Sequence, residues 1–134
     1  MLYKVVKQTR ERLEMVDITQ EVQTVIQESA IASGFASIFI PHTSAALTIS
    51  ENTDKEVQND IMETLSRLAP FGLHDYGHRG DNSDSHIKST LLGCSHTVIV
   101  EDNRALLGSW QSIYLCELDG PRDRTVLIKI LSNQ

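Results

Sequence analysis

Cysteine is scarce in this chain, and what there is does not make a framework. Cys94 and Cys116 are the two cysteines in 134 residues. Both sit in apolar surroundings, so buried, unpaired thiols are expected and a disulfide-stapled fold is excluded. Long apolar runs are missing too: no stretch approaches the roughly 18 residues that a membrane-spanning helix needs. No secretory leader is read at the start, and a cytoplasmic location is expected. A basic excess is also absent. Twelve Lys and Arg stand against eighteen Asp and Glu, a formal charge of −6. That excludes general affinity for nucleic acid or for an anionic membrane. An acidic whole can still carry a basic pocket, so small anionic ligands stay open. Internal repeats, low-complexity tracts and an obvious nucleophile–base pair are lacking as well.

What is present suffices for one domain, residues 1–134, since a chain of this length buries roughly two-thirds of its unfolded surface. LYKVVKQ and RLEMVDI read as the two strands of a hairpin with the polar TRER as its turn. Thr19 opens a helix in which Val22, Val25, Ile26 and Ser29 or Ala30 recur at helical spacing, with Gly34 as its stop. Phe35 to Pro41 is a buried strand, and Ala46 to Ile49 a second. Between them, His42, Thr43 and Ser44 either surround a cavity or form a turn whose hydroxyls bond the local backbone.

Asn52, Thr53 or Asp54 starts the next helix, with Val57, Ile61, Leu65 and Leu68 as its buried stripe. Asn59 and Asp60 lie off that stripe, and Pro70 and Gly72 end the helix. The last third is strand-rich: Ser95–Glu101, a turn at Asp102–Asn103, then Arg104–Gly108, Trp110–Leu118, the turn Asp119–Arg122, and Thr125–Leu131. Strands joined by short turns pair antiparallel. The expected class is therefore α+β, dominated by antiparallel sheet, in the order ββ-α-ββ-α-α-βββ.

The stretch HDYGHRGDNSDSHIKSTLLG, from His74 to Gly93, holds three of the five histidines together with Asp75, Asp81, Asn82, Asp84 and Lys88. Its polar groups could not all find partners in a core. It reads as a surface loop entering a short helix: Asn82 or Ser83 caps, Asp84 lies in the first turn, Ile87, Leu91 and Leu92 make the apolar face, and Gly93 stops it. His86 lies at the edge of that face and can turn back toward His78. Two imidazoles with nearby oxygens suit a divalent metal such as zinc. The competing reading is a solvated polar loop with scattered histidines.

HTSAALTISEN, the Tyr76-x-His78 pair, DSHIKSTLLG, LGSWQSIYLCE and DGPR together resemble the YjbQ-like family, commonly described as a secondary thiamine-phosphate synthase. The resemblance runs through the whole chain in order. It implies a compact α+β domain, a homotrimer, and a polar pocket that in some members holds a metal. Carried over residue by residue, it implies His42, His78 and His86 as ligands of a divalent metal, zinc in the first instance. It further implies Lys88, Asp60 and Asn52 as catalytic residues. Thr43, Ser44, Gln111, Glu117 and Arg122 are expected around the metal or in the substrate pocket, with Gln111 and Glu117 orienting imidazole N–H groups. Trp110 is expected in the core or at an interface. The loop Gly80–His86 is one residue longer than the family pattern, which leaves the place of Asn82 open, and His74 and His96 match no family position. The implied partner is a small phosphorylated or otherwise anionic molecule.

Two functions compete on these grounds: a metal-assisted enzyme with a thiamine-phosphate-forming side activity, and a non-catalytic trimer that binds a metal or an anionic metabolite. A trimer is expected also because Trp110, Ile113, Tyr114 and Leu115 form an apolar run that a small domain need not bury alone. A purely structural or partner-binding module would need a large exposed apolar patch, which the patterning does not predict.

Overall fold

Alternating residues dictate the sheets. In the computed structural model, which describes residues 1–72, 76–78 and 80–133, the elements run β1 (Leu2–Gln8), β2 (Glu14–Asp17), α1 (Thr19–Ser29), β3 (Gly34–Phe39), β4 (Ala45–Glu51), α2 (Lys55–Leu68), α3 (Ser83–Leu92), β5 (Ser95–Glu101), β6 (Arg104–Ala105), β7 (Gln111–Glu117) and β8 (Asp123–Ser132). This is the expected α+β order with the short β6 added. His74 and Asp75 lie outside the described residues.

Two sheets result, one ordered β1-β8-β3-β5-β6 and the other β2-β7-β4. Every strand pair is antiparallel, but β1 and β2 do not form the expected hairpin: β1 pairs with β8 and β2 with β7, in different sheets. Between the sheets lies one apolar core: Ala36, Ile38 and Ile40 from β3 and its continuation, Val98 and Val100 from β5, Val126, Ile128 and Ile130 from β8, and Leu47, Ile113 and Leu115 from the smaller sheet. Ile18, Val22, Val25 and Ile26 of α1 join it, as the helical spacing predicts. The far face of the small sheet carries a second cluster, Ala46, Tyr114, Cys116 and Leu118, which Met62 of α2 and Leu92 of α3 cover. β7 is thus buried on both faces. The two cysteines are unpaired, and burial pushes the Cys116 thiol up to about 12. Among the described residues no helix is long and apolar enough to cross a membrane.

Several expectations need correction. Gly34 does not stop α1; Ala30 does, in the left-handed conformation, and Gly34 opens β3. A side chain at Gly34 would sit 1.9 Å from the Leu131 carbonyl oxygen, so only glycine lets β3 and β8 close up here. In the α2 stripe, Leu65 is buried but Leu68 points into solvent. Ile113, Tyr114 and Leu115 are buried by their own chain, so they give no reason to expect a partner; Trp110 of that run is 69% exposed.

α3 inverts its expected face. Ile87 and Leu91 are exposed, whereas Asp84, Ser85, Lys88 and Ser89 are buried. The reason lies beneath the helix, where strand ends offer carbonyls: the Ser85 hydroxyl donates to Leu118 O at 2.5 Å and the Ser89 hydroxyl to Ala45 O at 2.8 Å. Buried acceptors demand donors, and that requirement outweighs the transfer energy of two apolar side chains.

The large sheet also exposes an apolar face that the sequence patterning did not predict. Leu2, Val6, Phe35, Phe39, Ile99 and Leu131 point outward from it, and the registers set Phe35 between Ile99 and Leu131.

A buried ion pair joins the two sheets. Glu117 at the end of β7 is fully buried, and Arg124 at the start of β8 is 2% exposed. Arg124 donates to both carboxylate oxygens, at 2.8 and 2.5 Å. The substitution Arg124→Met leaves Glu117 charged and unpaired, so stability should fall by about 3–5 kcal/mol in urea unfolding. The double change Arg124→Met with Glu117→Leu should recover much of that loss.

Candidate functional site

The site is assembled from three chain segments that secondary structure holds separately. Beyond β3 the chain runs through Pro41 to a bend at Thr43 and Ser44, and His42 comes to lie beside the start of β8. There its Nε2 accepts the Thr125 N–H at 2.9 Å. Thr43 follows, and its carbonyl accepts from Nδ1 of His86 on α3 at 2.9 Å. Asn82, just before α3, donates through Nδ2 to Asp119 Oδ2 at 3.0 Å. That fixes the direction of its amide, so Oδ1 faces His78, and the His78 Nε2 proton crosses the 2.8 Å between them. The rings of His78 and His86 then meet edge to face, with centroids 5.4 Å apart and planes at 76°.

Hydrogen bonding fixes which nitrogen carries the proton when each ring is in its neutral form. His86 carries its proton on Nδ1 and keeps a lone pair on Nε2. His78 is protonated on Nε2 and keeps its lone pair on Nδ1. His42 faces a backbone donor at Nε2, so its proton is on Nδ1. Burial, followed by the nearby Arg124 guanidinium, holds the His42 pKa below the usual imidazole range, with Glu117 pulling the other way. At neutral pH the ring is therefore uncharged. His42, Thr43, His86, Ser89, Thr90, Gly93 and Cys94 line a cavity of about 290 Å³.

These donors can be weighed against a zinc-class ion, which takes imidazole lone pairs. His78 and His86 fit: each gives its other nitrogen's proton to an oxygen, the arrangement that orients imidazole ligands. His42 offers no lone pair while Thr125 holds its Nε2. Among the described residues no three His, Cys, Asp or Glu side chains are grouped to hold an ion.

The chain matches the family described as UPF0047 protein YjbQ-like over residues 4–133. It belongs to the UPF0047 YjbQ-like family. A UPF0047 protein of Methanocaldococcus jannaschii is 46% identical over 134 residues, which is all of this chain and 96% of that relative. UPF0047 protein YugU of Bacillus subtilis is 46% identical over 123 residues, 92% of this chain and 93% of that one. The crystal structure of an uncharacterized YjbQ/UPF0047 family protein from Clostridium acetobutylicum superposes with a TM-score of 0.93 at 41% identity, covering 96% of this chain and 99% of that one.

Of the other residues that the family resemblance pointed to, few reach the histidine corner with a free group. Lys88 is 1% exposed, and its ammonium donates to Asp84 at 2.7 Å. Asp84 also takes a forked bond from Arg12, at 3.2 and 3.0 Å. Burial raises the Asp84 carboxyl, but Arg12 and Lys88 outweigh it and hold the group below the ordinary carboxylate range. Glu117 orients no imidazole; the Thr9 hydroxyl, Arg124 and the amides of Leu118 and Asp119 use its oxygens. Ser44 gives both its carbonyl and its hydroxyl oxygen to Arg124. Gln111 is exposed and accepts from the Gly108 amide, and Asn52 donates to Gln111 O and the Ser112 hydroxyl at the end of the small sheet. Asp60 lies in an exposed groove of α2 with Val57, Ile61, Thr64 and Leu65. Thr43 serves through its carbonyl. Arg122 is half exposed and donates to Asp119 through Nε and Nη2.

Asp119 is the residue that sequence reasoning missed. It takes Asn82, Arg122 and, at 3.8 Å, Arg12, and so wires the loop of His78 to the turn after β7. Its signals were its place in the turn Asp119–Arg122 and in the family motif DGPR, neither of which gave it a role. Gly80 completes the wiring, because a Cβ there would lie 2.6 Å from His78 Nε2 and 3.1 Å from Asn82 Oδ1. Both are ends of movable side chains, so Gly80→Ala should leave thermal stability within about 0.5 kcal/mol of wild type. It should free the His78 ring instead: long-range 1H–15N spectra should show a fixed Nε2–H in wild type and averaged tautomers in the variant.

Proposed function

We propose that this protein is a homotrimeric enzyme that acts on a small phosphorylated molecule at the His42–His78–His86 corner, with a divalent metal, zinc in the first instance, held by His78 and His86. The observation that carries the reading is the pair of imidazole lone pairs, on His86 Nε2 and His78 Nδ1, each oriented by a bond from the other nitrogen. Their 5.4 Å ring separation agrees with the roughly 5 Å expected of two imidazoles that share one ion about 2.1 Å from each nitrogen.

A bound metal of this class would polarise a phosphoryl oxygen and draw off its charge. The chain's residues supply the rest. The network behind the corner joins four cations, Arg12, Lys88, Arg122 and Arg124, to three carboxylates, Asp84, Glu117 and Asp119. It leaves one positive charge in excess within a chain of net −6. Arg122, the most exposed of the four, can lend a donor to an anion. Thiamine-phosphate formation fits as a side activity. The thiazole nitrogen of one substrate bonds to the methylene carbon of a pyrimidine pyrophosphate, and pyrophosphate leaves with the electron pair. Such a step needs charge stabilisation of the leaving group and no nucleophile from the protein. One observation favours the non-catalytic alternative: the Ser89 and Thr90 hydroxyls that line the cavity both donate to the protein itself.

His86→Ala should lose most of its metal after dialysis, read by mass spectrometry of the digested protein, whereas His96→Ala should keep it. Metal-loaded wild type given thiazole phosphate and pyrimidine pyrophosphate should yield thiamine phosphate above the level of His78→Ala/His86→Ala. A ligand that raises the melting temperature yet is recovered unchanged would favour the alternative. For assembly, light scattering at micromolar concentration should give three times the chain mass. Phe35→Glu, on the exposed apolar face of the large sheet, should shift that mass toward the monomer.

A further inference from the structure

We propose that His42 meets the ligand as a hydrogen-bond donor, through its Nδ1–H to a phosphoryl oxygen, and that it is not one of the metal's ligands. This rests on the reading of the corner as a phosphate site, but the tautomer argument does not. The Thr125 amide can only donate, so the His42 nitrogen 2.9 Å away must be unprotonated. A neutral imidazole then carries its single proton on the other nitrogen. An imidazolium would set two donors against each other, and a metal on Nε2 would have to break the bond from the Thr125 N–H and leave that amide without its acceptor. The amide cannot swing aside to make room, because Thr125 lies within β8 and Arg124 next to it is locked to Glu117 and Ser44. The nitrogen left for a ligand is thus Nδ1, and it offers a proton where a metal needs a lone pair.

The surroundings fit that role. His42 and His86 line the same cavity. His86 spends its proton on Thr43 O and presents a lone pair, while His42 does the reverse. The Ser89 and Thr90 hydroxyls donate to Ala45 O and His86 O. Among the described residues, Nδ1 of His42 has no protein acceptor, which makes it the oriented imidazole N–H that the cavity offers to an oxyanion. One wall therefore binds electron-poor partners through His86 and the other binds electron-rich ones through His42. A phosphoryl group held between a metal and a donor satisfies both at once.

The test begins with the wild-type protein labelled with 15N. Long-range 1H–15N correlations should show His42 protonated on Nδ1 and bare on Nε2, and zinc should leave that pattern in place. The reverse tautomer, or loss of the Nδ1 proton on adding zinc, would overturn the proposal. His42→Ala should then bind zinc with wild-type stoichiometry but bind inorganic phosphate, in the zinc-loaded protein, about ten-fold more weakly or worse, the scale of one hydrogen bond to a charged group. His42→Asn, whose amide N–H stands near the Nδ1 position, should recover part of that affinity. Loss of zinc from His42→Ala makes His42 a ligand and ends the proposal. So does phosphate affinity unchanged from wild type, though the function proposed for the corner survives that result. Zinc-loaded wild type that takes up no phosphate removes both.

Discussion

Glu117 and Arg124 are buried against each other where the two sheets meet, and the rest of the corner is hung from them. The pair spans from the end of β7 in the small sheet to the start of β8 in the large one. Arg124 reaches on to Ser44 at the head of β4, and Glu117 to Thr9 at the foot of β1. Four chain segments are thereby fixed at one point. A buried pair of this kind is a poor source of net stability, because removing two charges from water consumes most of their attraction. Its consequence is positional. Thr125 follows Arg124 and inherits its placement, so the amide that sets the His42 tautomer is located by an ion pair one residue away.

The second constraint is the polar underside of α3. Arg12, Asp84 and Lys88 form a buried or half-buried triad there, and Ser85 and Ser89 close the carbonyls of neighbouring strands. The helix is held in place by directional bonds, which admit one depth and one rotation, where an apolar face would tolerate several. This gives His86 its fixed aim at the Thr43 carbonyl. The same packing turns Ile87 and Leu91 to the outside. With Trp110 and the outer face of the large sheet, they add to the apolar surface that one chain leaves in water, which is the physical weight behind the proposed trimer.

The order of elements was legible because alternation and turn residues act locally. Val98 and Val100, or Ile128 and Ile130, announce their face by spacing alone, and α1 does so through Val22, Val25 and Ile26. The orientation of α3 was not legible. Its residue types predict Ile87 and Leu91 inward, and only the carbonyls and the guanidinium waiting beneath it reverse that. The histidines were found through the motifs of the family; His78 meets His86 edge to face, and His86 shares a cavity with His42. Their partners could not be read, since two of them are backbone groups, Thr125 N–H and Thr43 C=O, which any residue would supply. Asp119 was visible only within the turn and family motif DGPR, and Lys88 was named catalytic on the family's His-x-Lys motif, which gives no hint that Asp84 holds its ammonium in a buried pair.

The protonation pattern of the corner follows from this reliance on backbone. A side-chain partner can rotate away when a ligand arrives, and the tautomer it imposed goes with it. An amide inside a sheet and a carbonyl at a strand junction cannot. His42 and His86 therefore keep opposite tautomers, one proton-out and one lone-pair-out, before anything binds. Donors and acceptors fixed in advance cost no reorganisation at the moment charge develops on a ligand, which is the condition under which dipoles in a partly dry site act most strongly. His78 differs. Its proton is held by a side chain, Asn82, on a loop tethered to Asp119. Of the three imidazoles it is the one whose orientation can be changed without disturbing a strand.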